Sequence, residues 1–214
     1  MNVATIEQAT DSSNRLFEQS VPAYGNAIDQ GLRQLSSQAG VSASDIDLCQ
    51  TLRSNLLDLI HAKLNQSEQP HTPDQIAQWG WQSWMDTHAL RIGFLTVHEN
   101  KPVPIHDHPG SAGLLVVLQG RLQVQQFSAA QTHSSARGIK LSLDQQLQAR
   151  SGEFATFSPF EGNIHSVRAP EGPCIVLDIL LKPYKEQERG WYMPISGDCR
   201  GQTDFHTIRV SRSK

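Results

Sequence analysis

Apolar residues are spaced like a helix before about residue 89 and like strands after it. Leu16, Phe17 and Val21 punctuate a polar opening stretch, and Ala27, Ile28, Leu32 and Leu35 then recur at helical intervals until Gly40. Ser44-Asp45-Ile46-Asp47 matches a capping box. It precedes Leu48, Leu52, Leu56, Leu59, Ile60 and Leu64, which predict one amphipathic helix with Arg53, Asp58 and Lys63 on its polar face. Thr72-Pro73-Asp74-Gln75 is a further start signal, and it predicts a helix carrying Ile76, Trp79, Trp81 and Trp84. Three tryptophans on one helix would serve either as a ligand platform or as an aromatic face packed on the rest of the fold. The large area each ring buries favours packing.

From Leu90 the runs become short and strand-like. Arg91 to Val97 predicts a strand, and Leu114 to Phe127 predicts two, broken at Gln119-Gly120, where glycine accepts the positive φ of a tight turn. Ser128 to Gly138 is a polar loop. Ile139, Leu141, Leu143 and Leu147 predict a half-buried strand with imperfect spacing, and further strands are expected over Glu153–Phe157 and Ile164–Arg168. Cys174–Leu181 is so continuously apolar that both its faces should be buried, and Thr203–Val210 offers one more strand. Many short strands with Gly/Pro turns indicate an antiparallel barrel or sandwich. The expected organisation is a helical segment over 1–88 and a barrel over 89–214, forming one compact unit.

The chemistry concentrates at Pro104-Ile105-His106-Asp107-His108-Pro109-Gly110. Side chains two apart on a strand share a face, so His106 and His108 converge as potential ligands to one metal. Imidazole suits iron, zinc, copper and nickel alike, so the pair does not choose the ion. A second segment, Ser158 to His165, runs through a Pro/Gly/Asn turn into a strand carrying His165. A barrel of hairpins can bring that strand beside the first.

Together these segments resemble the cupin superfamily. His106, His108 and Gly120 match its first motif, and Pro159, Gly162 and His165 match its second. The first glycine of the pattern is missing, and Gly113 stands where a glutamate ligand is usual. The resemblance implies a mainly β double-stranded β-helix barrel, with the N-terminal helices packed outside. It also implies a metal held by His106, His108 and His165 as three neutral histidines. Within the superfamily the chain is most similar to the branch of thiol dioxygenases holding 2-aminoethanethiol dioxygenase and the plant cysteine oxidases. The residues carrying this likeness are His106–Gly110, Val117–Gly120, Gly162–His165, Pro173–Leu180 and Pro183-Tyr184. What the branch implies is Fe(2+) as cofactor and the addition of both atoms of dioxygen to a thiol sulfur, giving a sulfinic acid. The substrate would be a small thiol such as cysteamine or cysteine, or a peptide with an N-terminal cysteine.

Asp178 lies inside an apolar run and needs a partner if buried. A metal-ligating histidine is the expected one, and the matching aspartate of the branch lies near the metal. Tyr184 matches a tyrosine at the pocket mouth and would steer substrate or oxygen. Arg189–Met193 departs from the branch, because no cysteine stands there to cross-link to a tyrosine such as Tyr192. A carboxylated thiol would need a cation, for which Arg91 and Arg168 are candidates. The remaining histidines read as surface or loop residues, and Cys49 and Cys174 as core.

Composition narrows the classes. The net charge of -3 gives no electrostatic case for nucleic acid or an anionic membrane as main partner. No run approaches a membrane-spanning length, and the N-terminus lacks the basic and apolar regions of a signal peptide. Three widely spaced cysteines argue for a reducing compartment, so a cytoplasmic monomer is expected. The rival readings are another metal-dependent cupin enzyme (an isomerase, lyase or non-thiol dioxygenase) and a metal-free cupin that only binds a ligand.

Overall fold

The computed structural model describes residues 21–38, 40–65, 79–99, 101–129, 138–181, 189–195 and 204–211. Its helices are α1 (21–36), α2 (Ala43–Thr51) and α3 (Arg53–Asn65). The strands are β1 (Trp79–Asp86), β2 (Leu90–Val97), β3 (Val103–His106), β4 (Ala112–Gln119), β5 (Arg121–Ala129) and β6 (Ile139–Arg150). They continue with β7 (Phe154–Phe157), β8 (Ile164–Arg168), β9 (Cys174–Leu181), β10 (Gly190–Pro194) and β11 (Asp204–Ser211). The pairs between these strands are antiparallel. One sheet runs β1-β2-β9-β4-β7, and the strands β10-β11-β6-β5-β8-β3 close into a ring through the β3–β10 contact. Among the described residues no helix is long and apolar enough to cross a membrane.

Strand β9 shows why the sheet has two buried faces. Ile175, Leu177, Ile179 and Leu181 face the helices, where they join Ile28, Leu32 and Leu35 of α1, Ile46 and Cys49 of α2, and Leu56 and Ile60 of α3. Cys174 and Val176 face the other way, into a core with Leu95, Leu115, Val124 and Val167. Each fully buried Leu, Ile or Val contributes about 1.5–3 kcal/mol, and β9 gains it on both faces. Asp178 and Leu180 share the inward face by the same alternation. Gly120 turns β4 into β5 with φ +81, as its position predicts.

Several local expectations differ. Trp79, Trp81 and Trp84 lie on a strand, not a helix: β1 pairs with β2 from Trp79↔Val97 to Asp86↔Arg91, so the sheet starts ten residues before residue 89. Trp79 and Trp81 at i and i+2 suit a strand face, and the aromatic residues favour a pleated, half-buried surface. A bulge between Ser83 and Met85 then leaves Trp84 exposed. The single leucine-rich helix is two helices meeting at Leu52, where ψ is 0. The break lets Cys49 and Leu56 both reach the sheet. The capping box is not made: Ser42 is the N-cap, its hydroxyl taken by Ser44 at 2.7 Å. The uneven spacing from Leu143 to Leu147 coincides with a register shift that skips Asp144 in the pairing with β5. Strand β10 was not expected. Leu16, Phe17, most of the Ser128–Gly138 loop and the Thr72 start signal lie outside the described residues.

Candidate metal centre

His106 ends β3 with neighbours on both sides. It pairs with His165 on β8 and with Trp191 on β10. His108 follows the strand, two residues on. The three rings lie 4.6–5.2 Å apart between centroids and are buried. One nitrogen from each falls within 4.8 Å of the others. Nε2 of His106 and Nε2 of His108 are 3.0 Å apart, the separation expected of adjacent ligands at about 2.1 Å from one ion with bonds at right angles.

Backbone carbonyls set the tautomers. Nδ1 of His106 lies 2.8 Å from Pro104 O, and Nδ1 of His165 lies 3.1 Å from the carbonyls of Gly162 and Asn163. Carbonyls only accept, so Nδ1–H donates and the lone pair of a neutral ring sits on Nε2, facing its neighbours. Burial, followed by the charge of Arg189 and the His165 ring, pushes His106 well below the usual imidazole range. Burial first, then His106 and Arg189, does the same to His108. Burial takes His165 down to about 4. Three neutral Nε2 donors on one spot fit a divalent metal of the imidazole-preferring kind.

A clamp holds His108. Oδ1 of Asn163 accepts from the His108 N–H at 2.9 Å, and Nδ2 of Asn163 lies 2.9 Å from His108 O and 3.2 Å from both Ser111 O and Ser158 O. Asp107, between the two histidines, points the other way by strand alternation. It accepts from the Gly190 N–H, from Tyr192 Oη at 2.9 Å and from Arg209 Nε at 3.1 Å. Burial and the Asp107 charge push the Tyr192 phenol up to about 12.

The site opens on a cavity of about 220 Å³. Trp79, Trp81, Trp191 and Phe157 wall it, and among the described residues Arg91, Arg189 and Asp178 are its charged groups besides the histidines. The tryptophans therefore pack against the barrel core with part of their surface and face the cavity with the rest. Gly113 is the key to one wall. A Cβ there would overlap the Phe157 ring, so the absence of a side chain at 113 lets that ring lie 5.0 Å from His108 and 4.7 Å from His165. A phenyl ring thus fills the space beside the position where the cupin pattern has glutamate.

Asp178 reaches the cavity as expected, and two of the three histidines are not its partners. The second nitrogens of His106 and His165 are taken by carbonyls, and Oδ1 of Asp178 has no hydrogen-bond partner among the described residues. Burial raises its carboxyl to about 7, against the pull of Arg189 and Arg91. Arg91 lines the cavity, while Arg168 is exposed and donates to Gln123 at 2.6 Å. Tyr184 lies outside the described residues. His61, His88 and His206 are exposed and His98 is half-buried; His71, His133 and Cys199 also lie outside. Cys49 and Cys174 are buried free thiols, each pushed up to about 12 by burial.

Sequence reasoning missed Asp107, Arg189, Asn163 and Trp191 as parts of the site. The one signal present was strand parity, which turns Asp107 away from its flanking histidines.

These features define an antiparallel β barrel with a buried three-histidine centre able to hold a metal. The family model PCO_ADO matches residues 40–196, well over half of the chain, and the chain belongs to that family. It is similar to human 2-aminoethanethiol dioxygenase, 28% identical over an alignment of 121 residues, with 46% of this chain and 45% of that one covered. It is also similar to the mouse 2-aminoethanethiol dioxygenase, 26% identical over 125 residues and 48% of each chain. The chain spans about half the length of the curated relatives it matches. Among solved structures, a cupin-2 domain protein of Shewanella frigidimarina aligns with TM-score 0.39 and 17% identity over 61% of this chain and 99% of that one. A double-stranded β-helix domain protein of Klebsiella pneumoniae aligns with TM-score 0.39 and 12% identity over 54% and 85%.

Proposed function

We propose that this chain is an iron(II) thiol dioxygenase that converts a thiol and dioxygen into a sulfinic acid. His106, His108 and His165 would hold Fe(2+). The observation that carries the reading is the donor set: three neutral imidazoles, with Phe157 packed over Gly113 where a carboxylate ligand would otherwise stand. A divalent ion there keeps its full charge, which favours an anionic soft donor, and a thiolate is one. Iron, when bound, supplies the acidity that ionises the thiol and the redox chemistry that lets sulfur react with dioxygen. The overall step balances without another reductant. Sulfur loses four electrons, dioxygen gains them, and both oxygen atoms finish on sulfur.

The chain's own residues prepare the cavity. The carbonyls of Pro104, Gly162 and Asn163 fix the imidazole tautomers. Phe157, Trp79 and Trp191 line it with apolar surface that excludes water. Asp178 offers an acceptor to the part of the substrate away from sulfur. Tyr184 is assigned a substrate- or oxygen-steering role on the Pro183-Tyr184 resemblance. Buried free Cys49 and Cys174 support work in a reducing compartment such as the cytoplasm.

The test is oxygen uptake by iron-loaded protein over a thiol panel, with isotope-labelled dioxygen and mass spectrometry of the product. Two labelled oxygens on sulfur are expected. Iron-loaded protein inert to cysteamine, cysteine, 3-mercaptopropionate and N-terminal cysteine peptides would refute the proposal.

A further inference from the structure

Building on the iron reading of the centre, we propose that Trp191 and Trp79 form a protective relay, which carries an oxidising equivalent from the metal site to the surface for a soluble thiol to quench. Three rings stand in series. The His106 ring lies 5.2 Å from the Trp191 ring, tilted by 38°. Trp191 in turn stacks on Trp79 at 6.1 Å, with 27° between the planes. Both separations fall within the roughly 4.5–7 Å of directly interacting aromatic pairs. Two ring-to-ring contacts therefore join a metal-centre histidine to the first residue of β1.

The backbone fixes this series. Trp191 is the residue of β10 that pairs with His106, and strand parity sets its ring on the face opposite Tyr192, whose hydroxyl donates to Asp107. Trp79 sits opposite Val97 and packs, like Trp191, against the core of Leu95, Val97 and Val103. Trp79 is half-buried, so part of its indole meets solvent. The Arg189 guanidinium stands 4.7 Å from the centre of the Trp191 ring. A cation so close opposes a lasting positive charge on that ring, which favours passing the hole outward. Packing alone would be served by any large apolar side chain at 191. What leucine or phenylalanine lacks is an indole, which gives up an electron far more readily.

The need follows from the chemistry of the centre. A bound thiol supplies the four electrons that dioxygen takes, but with the cavity empty an oxidant at the iron finds only side chains. Hydrogen peroxide is the simplest case. It takes two electrons and two protons and leaves as two waters. One electron comes from iron(II), which becomes iron(III). The other comes from Trp191, whose indole N–H gives up one proton, and solvent gives the second. Trp79 then passes an electron and its indole proton to Trp191. A soluble thiol restores Trp79 by giving it a hydrogen atom, and two of the resulting thiyl radicals join as a disulfide. His106, His108 and His165 are left intact, so the competing reaction is kept away from the ligands.

The experiment treats iron-loaded protein, free of thiol, with hydrogen peroxide and maps the oxidised residues by mass spectrometry of its peptides. Trp84 is the internal control. It lies on the same strand as Trp79 and is 37% exposed, so a diffusing oxidant meets it before the half-buried Trp79. In the parent, oxidation should fall on Trp79 and Trp191 ahead of Trp84. Iron-free protein should show no such preference. In Trp191→Phe, which keeps an aromatic wall, Trp79 should lose its preference and oxidation should move to His106. In Trp79→Phe it should accumulate on Trp191. Paramagnetic resonance of rapidly frozen parent should show a tryptophan radical, which a soluble thiol mixed in after the peroxide should remove. A Trp79 preference that survives Trp191→Phe overturns the relay. So does parent oxidation that follows exposure, with Trp84 first, and that comparison needs no variant to fold. Protein that holds iron and makes sulfinic acid but oxidises Trp84 first refutes the relay and leaves the dioxygenase. Protein that shows the relay but oxidises no thiol to sulfinic acid refutes the dioxygenase and leaves the relay. Protein that holds no iron overturns both.

Discussion

Replacing Asn163 tests whether the second ligand is positioned by one side chain. Its amide meets four backbone groups, and with two hydrogens on Nδ2 it satisfies three at a time. Each such bond is worth about 1 kcal/mol net, so Asn163→Ala should cost about 2–3 kcal/mol, with water replacing part of the loss at this half-buried position. Asn163→Asp is the sharper variant. It keeps the acceptor for the His108 N–H but turns the donor into a carboxylate oxygen facing the carbonyls of His108, Ser111 and Ser158. At neutral pH it should be at least as damaging as alanine despite its matching shape. Both should loosen His108 and lower metal affinity by ~10–100-fold, the range seen when support behind a ligand is removed. Urea unfolding of the metal-free protein gives the first quantity. Metal retained against a competing chelator gives the second. Unfolding within about 0.5 kcal/mol of the parent and unchanged metal retention in Asn163→Ala would refute the clamp. Parent-like stability in Asn163→Asp would show that the Nδ2 bonds to the carbonyls of His108, Ser111 and Ser158 add no stability.

Other consequences follow from single contacts. Gly113→Glu should destabilise by about 2 kcal/mol or more, because its side chain must displace Phe157; adding Phe157→Ala should recover part of that loss in thermal unfolding. Asp107→Asn should cost about 2 kcal/mol in chemical unfolding by weakening its bonds to Tyr192 and Arg209. In metal-free protein, Asp178→Asn should stabilise, with a definite pH dependence. The folded carboxyl titrates at about 7 against an ordinary 3.8, so its ionisation opposes folding. That cost is absent below about pH 4, grows between about 4 and 7, and is complete above. At about 1.4 kcal/mol per pH unit the variant should gain up to a few kcal/mol by about pH 8, and a gain independent of pH would contradict the burial argument.

The barrel was readable because its strands are punctuated. Gly120 and Gly152 sit at the turns with positive φ, and the apolar run of β9 announced two buried faces before any neighbour was known. The three histidines were readable for a related reason: two share a strand face, and the third follows a recognisable turn. Strand β1 was misread because Trp79, Trp81 and Trp84 fit helical and extended spacings in so short a window. What decides is pairing with β2, a contact the local pattern does not contain. Strand β10 has only five residues between Arg189 and Ile195, and its identity rests on bonds to β11 and β3. The choice of partner for Asp178 was beyond the sequence. A buried carboxylate does need compensation, but backbone carbonyls take the second nitrogens of His106 and His165, which only a structure shows.

Strand alternation is used twice at the centre, and the second use explains why the site depends on the C-terminal strands. In His106-Asp107-His108 the outer two residues turn inward toward the metal position and the middle one turns outward. Asp107 is not left to solvent there. It is buried and gathers the Gly190 N–H, the Tyr192 hydroxyl and Arg209. These come from β10 and β11, more than 80 residues further along the chain. The same β10 carries Trp191, which pairs with His106 and packs on its ring, and Arg189 immediately precedes it. One carboxylate therefore locks the ligand strand to the segment that brings two cavity walls, so a metal-centre histidine and part of the cavity wall are fixed by a single bond network. Loosening β10 should then disturb metal affinity and substrate choice together, whereas loosening the Asn163 clamp should disturb metal affinity first.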